Sequence, residues 1–231
     1  MWMKFTGKFR LTPCSSIIQK PLVSVACRSF SKPSLYHQTR EGRPDADVSR
    51  RKDQLVHPPW FLSQYQQLWN SGNISTVFHV EFVVLLLRLC SYVSQFLPSP
   101  SHPIDRIRGM LLSDMRTLCN DVAEKLAKIC AQLDARGSLL RVQHLAFLGL
   151  RLQCEGPNLA FWEVLNKAAL VAQRIGLHRN HTAHMPEMHV LEQEMRRRVW
   201  CNLYIWDRYV ILPSLADAVA HTVCCSDKTV S

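Results

Sequence analysis

Apolar side chains recur at steps of three and four residues along most of this chain from Trp60 onward, and this spacing strongly constrains the fold. The longest such stripe comprises Ile104, Ile107, Leu111, Met115, Leu118, Val122, Leu126, Ile129 and Leu133. Steps of three and four place side chains on one side of an α-helix, whereas a strand needs strict alternation. The sequence therefore predicts an all-α fold of stacked antiparallel helices, a helical bundle or superhelix.

Glycine and proline predict several helix boundaries. The longest stripe predicts a helix that begins at Pro103, since proline suits the first helical position, and that ends before Gly137. A second helix is expected over 139–154, where the apolar spacing repeats until Gly156 and Pro157 interrupt it.

The most apolar segment, residues 77–97, raises the question of a membrane span. Glu81 and Arg88 lie inside it, and its uninterrupted apolar run covers only 82–87, far shorter than the roughly 20 residues that a bilayer requires. We therefore expect a helix buried in the protein core, which Pro98 and Pro100 end.

The positive charge of the chain is concentrated near its N-terminus. The net charge is +10, yet residues 1–59 hold 11 Lys and Arg against 4 Asp and Glu, while residues 60–231 hold 17 against 14. Nearly balanced charge in the helical part gives no electrostatic footprint for nucleic acid. The predicted organisation is a basic, disordered leader and linker at 1–59, an all-helical domain at 60–212 and an irregular tail at 213–231.

Two functions fit the leader. Residues 1–40 contain seven Lys and Arg and no Asp or Glu, which is the composition of a mitochondrial presequence. Three prolines interrupt any long amphipathic helix there, and Arg50-Arg51-Lys52 offers a nuclear-import patch instead. Nuclear import is the favoured interpretation, and mitochondrial targeting stays open.

An alanine-rich apolar face predicts the helix that follows Gly156. That face comprises Phe161, Trp162, Leu165, Ala168, Ala169, Ala172 and Ile175. Its small side chains let a neighbouring helix approach closely. Gly176 follows the last turn, where a left-handed residue commonly ends a helix, and Leu177 is expected to fold back onto that turn.

A last helix is expected over 188–212. Glu192 and Glu194 stand four residues before Arg196 and Arg198, a spacing that favours ion pairs within one helix. The second half of this helix is apolar nearly all round and is therefore expected to be buried.

Asp207 lies in this apolar half, and no basic side chain stands one turn away from it. An unpaired buried carboxylate is costly. We therefore expect a cation from another element to reach Asp207, with Arg179 and Arg151 as the candidates.

Four short motifs follow one another in the second half of the chain. They are Ala160-Phe161-Trp162, Gly-Leu-His-Arg at 176–179, Arg197-Arg198 followed by Trp200, and Asp207-Arg208. In this order and spacing they resemble the middle homology region of fungal-specific zinc-cluster (Zn2Cys6) transcription factors. The resemblance implies an all-helical regulatory domain downstream of a DNA-binding zinc cluster.

The resemblance maps the family motif onto a set of positions for which it implies structural and not catalytic roles. These positions are Trp162, Gly176, Leu177, His178, Arg179, Arg197, Arg198, Trp200, Asp207 and Arg208. The sequence has no Gly-x-Ser-x-Gly elbow, phosphate-binding loop or dinucleotide fingerprint. The chain is therefore not expected to be an enzyme.

The zinc cluster itself is missing from this sequence. The family's cluster needs six cysteines beginning Cys-x2-Cys, whereas the nine cysteines here include no pair at that spacing, and their odd number fits a reducing compartment. His178, His181, His184 and His189 are spaced for neither a zincin helix nor a zinc finger, so we expect a solvated loop. No zinc or other cofactor is expected in this chain.

These features predict the regulatory region of a fungal transcription factor in the nucleus, with no membrane contact. Its expected partners are proteins, either a family member or the transcription machinery, and it is expected to reach DNA only through a missing or separate zinc-cluster domain. Pro213 and the unmatched residues that follow it indicate a fragment. The alternatives are a mitochondrially targeted helical protein and an inert, truncated remnant that acts only through protein contacts.

Overall fold

The computed structural model describes most of the chain from Leu55 to Ser226. The described residues are 55–71, 74, 76–97, 105–107, 109–156, 158–179 and 189–226, the last range as backbone only beyond Arg208. The leader predicted at 1–59 therefore lies outside the described residues up to position 54, as do Pro98, Pro100 and Pro103.

Six helices and one two-stranded hairpin make up the described part of the chain. In order they are α1 (Pro58–Ser71), α2 (Val77–Val93), the antiparallel strands β1 (Arg106–Ile107) and β2 (Met110–Leu111), α3 (Leu112–Leu133), α4 (Leu139–Glu155), α5 (Asn158–Arg174) and α6 (Val190–Ser226). A short 3-10 turn, Ser94–Phe96, extends α2. The all-α fold of stacked antiparallel helices predicted from the apolar spacing is confirmed.

The central helix of the stack is α2. Every residue from Val80 to Ser91 is buried, because α3 packs on one side of α2 and α4 packs on another. Phe82 also contacts the rings of Trp60 and Phe61 from α1. Because α5 packs on α4 rather than on α2, the helices stand in the order α3, α2, α4, α5, with α6 lying against α4 and α5.

The position of α2 in the core decides between a membrane span and a buried helix. Val77–Phe96 is long and apolar enough to cross a bilayer, and it is the one such helix among the described residues. However, 78% of its most apolar window is buried inside the protein. The predicted core helix is therefore confirmed.

The start of α3 differs from the sequence prediction. The helix begins at Leu112 and not at Pro103, because Arg106–Leu111 forms a hairpin that turns at Gly109. Gly109 has a left-handed φ of 80°, which glycine adopts without strain. Glycine inside a helix costs about 1 kcal/mol relative to alanine, so this residue also disfavours a continuous helix here.

The buried face of α3 is turned relative to the predicted stripe. Its buried residues are Leu112, Met115, Cys119, Ala123 and Cys130. Leu118, Val122 and Leu126 are half-buried instead, and Leu133 is exposed. Small side chains at Cys119 and Ala123 let α2 approach closely, and large apolar residues flank that contact.

Both edges of the helical domain differ from the predicted range of 60–212. Leu55 and Val56 are buried in the core and α1 begins at Pro58, so the domain starts within the segment predicted as linker. At the other end α6 continues through Pro213 to Ser226, where the sequence predicts an irregular tail. A proline removes one helical hydrogen bond and commonly kinks a helix without ending it.

Candidate functional site

The Gly-Leu-His-Arg motif forms the C-terminal cap of α5. Gly176 has a left-handed φ of 75°, its amide donates to the carbonyl of Gln173 at 3.0 Å, and the amide of Leu177 donates to the carbonyl of Ala172 at 2.8 Å. These two bonds define a Schellman motif. Leu177 folds back and is buried in the core, so the predicted cap is confirmed.

Replacing Gly176 with alanine is expected to lower the free energy of unfolding by about 1–2 kcal/mol, because a Cβ atom disfavours the left-handed conformation. Chemical denaturation followed by circular dichroism measures the change. Gly156→Ala is the matched control, since Gly156 has an extended φ of 175° and an added Cβ meets nothing within 4 Å. Equal losses in the two variants would show that backbone strain is not the cause.

A side chain from α6 binds the same end of α5. Arg196 donates from Nη2 to the carbonyl of Ile175 at 2.7 Å. A guanidinium at a helix C-terminus complements the partial negative charge of the last carbonyls. Burial lowers the pKa of Arg196, and the negative charge of Glu192 opposes this shift. The carboxylate of Glu192 lies 4.0 Å from the guanidinium, at the predicted i,i+4 spacing.

Aromatic rings of the motifs pack beside this bond. The ring centroids of His178 and Trp200 lie 5.8 Å apart, and the ring of Phe161 lies 6.1 Å from Trp162 and 6.5 Å from Trp206. Ring pairs at such distances add to the energy of area burial alone. Four of the motif residues, Gly176, Leu177, His178 and Trp200, thus lie at one contact between helices. Together with Arg196 we call them the α5–α6 junction.

The other two arginines of the triple-arginine run share one carboxylate. Glu194 accepts hydrogen bonds from Arg197 at 2.8 Å and from Arg198 at 2.6 Å, which confirms the predicted pairing of Glu194 with Arg198. The hydrogen bonds from Arg197 and then Arg198 lower the pKa of Glu194 to about 2. These contacts stay within α6, where pairs at i,i+3 and i,i+4 spacing stabilise a helix.

The lowered pKa of Glu194 predicts a pH-dependent contribution to stability. A carboxyl group whose pKa is lower in the folded chain stabilises it above the unfolded value of 4.5, and this contribution is lost as the pH falls toward about 2. Because the side chain is 33% exposed, we expect Glu194→Gln to cost at most about 1 kcal/mol at neutral pH. Denaturation at pH values from 7 to 3 should show that the difference in free energy of unfolding between the variant and the wild type shrinks. The control Asp121→Asn, at an exposed position of α3, should show no such shrinking.

The prediction of a buried, ion-paired Asp207 is wrong. Asp207 is half-buried, and neither Arg179 nor Arg151 forms an ion pair with it in the described part of the chain. The stretch of α6 around Asp207 is not enclosed, since Tyr204 and Ile205 are 53% and 39% exposed. Because Asp207 is only half-buried, its carboxylate does not carry the full cost of burial that would require a partner.

Arg179 and Arg208 lie at the edges of the motif region. Both side chains are exposed. The backbone amide of Arg179 donates to the carbonyl of Gly176 at 3.2 Å, and the guanidinium of Arg208 stands 5.4 Å from the ring centroid of Tyr204. Neither side chain is brought into the α5–α6 junction.

The sequence reasoning missed a buried ion pair that joins three helices. Glu81 of α2 accepts from Arg141 of α4 at 2.7 Å and 3.0 Å, and from the hydroxyl of Ser138, which caps α4. Arg141 also donates to the carbonyls of Asp134 at 2.6 Å and Cys130 at 3.0 Å, at the end of α3. Glu81 inside the most apolar segment was the one signal in the sequence, and its partner lies 60 residues away.

A second polar cluster lies farther along α2. Arg88 donates to Glu124 at 2.6 Å and to Asn120, both on α3. The pKa of His144 is lowered to about 3, mainly by burial and to a smaller extent by the positive charges of Arg88 and Arg141. His144 is therefore neutral at physiological pH and is not placed to sense pH changes there.

Arginines from other segments cap the C-terminal ends of several helices. In each case an arginine side chain donates to a backbone carbonyl: Arg116 to Ser94 at 3.0 Å, Arg141 to Asp134 at 2.6 Å, Arg174 to Ala135 at 2.6 Å, and Arg196 to Ile175 at 2.7 Å. Carbonyls at helix ends lack intrahelical partners, and cations satisfy both the hydrogen bond and the dipole. The α5–α6 junction repeats this arrangement and adds the family motif to it.

Among the described residues no three His, Cys, Asp or Glu side chains come together as a metal site. His178 and His189 are exposed, and the Nδ1 atom of His189 accepts from the amide of Leu191 at 3.2 Å. His181 and His184 lie outside the described residues.

The sequence profile of the fungal specific transcription factor domain matches residues 52–212. This range begins just before the buried Leu55 and includes the α5–α6 junction. The chain belongs to this family. The family that the four motifs suggested is thereby confirmed, and the matched range covers α1 to α5 and the part of α6 up to position 212.

Curated relatives agree with this membership. Transcription factor xilB of Penicillium rubens is 41% identical over 162 residues, which are 68% of this chain and 24% of xilB. Probable transcription factor sol4 of Alternaria solani is 42% identical over 167 residues, 72% of this chain and 30% of sol4. Zn(2)-C6 fungal-type transcription factor pigI of Monascus ruber is 25% identical over 158 residues, 66% of this chain and 18% of pigI.

The chain spans less than a third of the length of these relatives. No solved structure matches it. All three relatives are named as transcription factors and none as an enzyme. The helical unit is therefore a regulatory region of a fungal transcription factor, and the mitochondrial alternative gains no support from these relatives.

Proposed function

We propose that this chain regulates transcription in the nucleus by binding other proteins, and that the α5–α6 junction sets the conformation its partners bind. The observation that carries this proposal is that four residues of the family motif lie at one contact between α5 and α6. Gly176, Leu177, His178 and Trp200 belong to that motif, and together with Arg196 they hold α6 against the end of α5. Motif residues that meet at an interhelical contact favour a role in positioning α6.

Contact with DNA is assigned to a zinc-cluster domain outside this sequence. The sequence contains no Cys-x2-Cys pair, and residues 60–231 carry nearly balanced charge, which gives little electrostatic attraction for phosphates. On this proposal the chain holds no zinc, performs no catalysis and acts through protein surfaces alone.

A reporter assay tests the proposal. The full chain is fused to a heterologous DNA-binding domain in a fungal host, and reporter output is compared with that of the DNA-binding domain alone. We expect the fusion to change reporter output, and we expect Arg196→Gln to remove most of that change. Arg197→Gln is the matched control, because Arg197 is 56% exposed and forms its ion pair with Glu194 inside α6.

Two results would contradict the proposal. One is an unchanged reporter with a fusion protein of normal abundance and helical content. The other is a fluorescently tagged full chain that accumulates in mitochondria and loses that location when residues 1–40 are deleted.

A further inference from the structure

Exposed arginines from separate parts of the sequence meet beside the α5–α6 junction. Arg174, the last residue of α5, donates from Nη1 to the carbonyl of Ala135 at 2.6 Å. This bond brings its guanidinium to the residue that precedes Arg136 in the turn between α3 and α4. Both arginines are exposed. The end of α5 and the turn after α3 thus bring two positive charges together at the protein surface.

Two more arginines lie at the same end of α5. Arg196 of α6 donates to the carbonyl of Ile175 at 2.7 Å, next to Arg174. Burial is the main cause of the lowered pKa of Arg196, and the positive charge of Arg136 also lowers it, so these two guanidinium groups lie near each other. Arg179 is exposed in the turn that ends α5. We call Arg136, Arg174, Arg179 and Arg196 the arginine patch.

The arginine patch carries more positive charge than its own carboxylates neutralise. Arg196 pairs with Glu192, but the other three arginines form no ion pair with any Asp or Glu in the described part of the chain. A second carboxylate, Asp134, stands beside the patch, and its Oδ1 atom accepts from the backbone amide of Arg136 at 3.0 Å. Four arginines and two carboxylates leave a surplus of two positive charges. Like charges held close together repel one another, and a partner of opposite charge relieves this repulsion.

One of the exposed arginines is already held in position. Arg174 is exposed, although its guanidinium is fixed by the bond to the carbonyl of Ala135. A guanidinium has several N–H donors, so Arg174 keeps donors for a second acceptor. A side chain that is ordered before binding loses little conformational freedom when a partner arrives. Carboxylates suit such a group, because they accept two parallel hydrogen bonds from one guanidinium.

The two carboxylates at the patch favour an acidic peptide over a nucleic acid. Phosphates follow one another without interruption along a nucleic-acid strand. A strand that crosses the patch therefore brings phosphates close to Asp134 and Glu192, where like charges repel. A peptide can place carboxylates against the arginines and neutral residues beside Asp134 and Glu192. The pattern of charges at the patch thus matches a segment whose acidic residues are spaced by neutral ones.

We infer that the arginine patch binds an acidic segment of a partner protein, one in which Asp or Glu alternates with neutral residues. This inference rests on the proposed function, because it names the chemistry of a partner that the regulatory region binds. The patch borders the α5–α6 junction and shares Arg196 with it. An acidic segment bound there contacts α5, α6 and the turn between α3 and α4 at once.

Fluorescence anisotropy of a labelled peptide, in which glutamate alternates with serine, measures binding to the purified full chain. The double variant R136Q/R179Q is expected to weaken this binding about threefold to tenfold, because two exposed charge contacts are lost. In the described part of the chain neither of these side chains bonds to another residue of the fold, so the variant is expected to keep its helical content. A peptide of the same length with glutamine in place of glutamate is expected not to bind.

The matched control is the double variant K125Q/K167Q. Lys125 and Lys167 are exposed on α3 and α5, and their replacement removes the same charge outside the patch. The control is expected to bind the peptide like wild type. Both double variants keep the basic segment 1–59, so a difference between them belongs to the patch.

Three results would overturn the inference. The first is wild-type affinity in R136Q/R179Q, and the second is an equal loss in the control, which would make net charge alone the cause. The third is a larger loss of affinity for duplex DNA than for the peptide in R136Q/R179Q, which would assign the patch to nucleic acid. Unchanged reporter output together with patch-dependent peptide binding would contradict the regulatory role alone.

Discussion

Replacing Arg141 with methionine is expected to lower the free energy of unfolding by about 3–5 kcal/mol, because the change leaves a buried carboxylate without its cation. In the structure two groups bind the carboxylate of Glu81, which is 2% exposed: the guanidinium of Arg141 and the hydroxyl of Ser138. The variant keeps only the hydroxyl. The carbonyls of Cys130 and Asp134 lose their arginine donor as well. Urea denaturation at neutral pH, followed by circular dichroism, measures the loss.

The matched control for this change is Arg197→Met. Arg197 is also ion-paired, but its side chain is 56% exposed, and exposed pairs contribute about 0–1 kcal/mol. The double variant with Glu81→Leu and Arg141→Met removes the unpaired charge and is expected to lose less than the sum of its two single variants. An Arg141 variant as mild as the Arg197 variant would show that the buried pair does not stabilise the stack.

Replacing Phe161 with alanine is expected to cost about 3–5 kcal/mol, the usual range for deleting a buried aromatic ring. Phe161 is 1% exposed, and a Cβ built on Gly149 of α4 would lie 3.3 Å from its Cδ2 atom. The ring also contacts Trp206 of α6. Its removal therefore opens a cavity where α4, α5 and α6 meet, and the surrounding backbone cannot close it fully.

Phe78→Ala is the control for the loss of a ring. Phe78 lies in α2 but is 43% exposed, so its removal exposes little buried surface and leaves no cavity. We expect a change of about 0.5 kcal/mol or less. Hydrogen exchange should also show faster exchange in α6 of the Phe161 variant than in α6 of the Phe78 variant. Equal losses of stability would mean that Phe161 is not a core residue.

Arginines join the helix ends in this fold, and this arrangement explains why charged residues occupy its interior. Arg141 and Arg196 each satisfy carbonyls at the end of a neighbouring helix, where no intrahelical donor exists. Apolar packing alone leaves those carbonyls unpaired. The stack therefore combines apolar sides with polar ends, and the family motif is located at one of these ends.

The periodicity of apolar residues determined the helices α2, α4 and α5 and the cap at Gly176, because these features depend on residues close together in sequence. The order of four motifs determined the family, which the matched range of 52–212 confirms. The paired glutamates of α6 were likewise readable from an i,i+4 spacing.

Tertiary structure alone decided which partners meet. Glu81 and Arg141 are 60 residues apart, and no local pattern links them, so only the packing of α2 against α4 brings the two charges together. The environment of Asp207 was decided in the same way. Its apolar neighbours in sequence predict burial, yet the packing of α6 against α4 and α5 leaves Asp207 half-buried. Sequence spacing specifies the faces of single helices, whereas the burial of a charge depends on what covers that face.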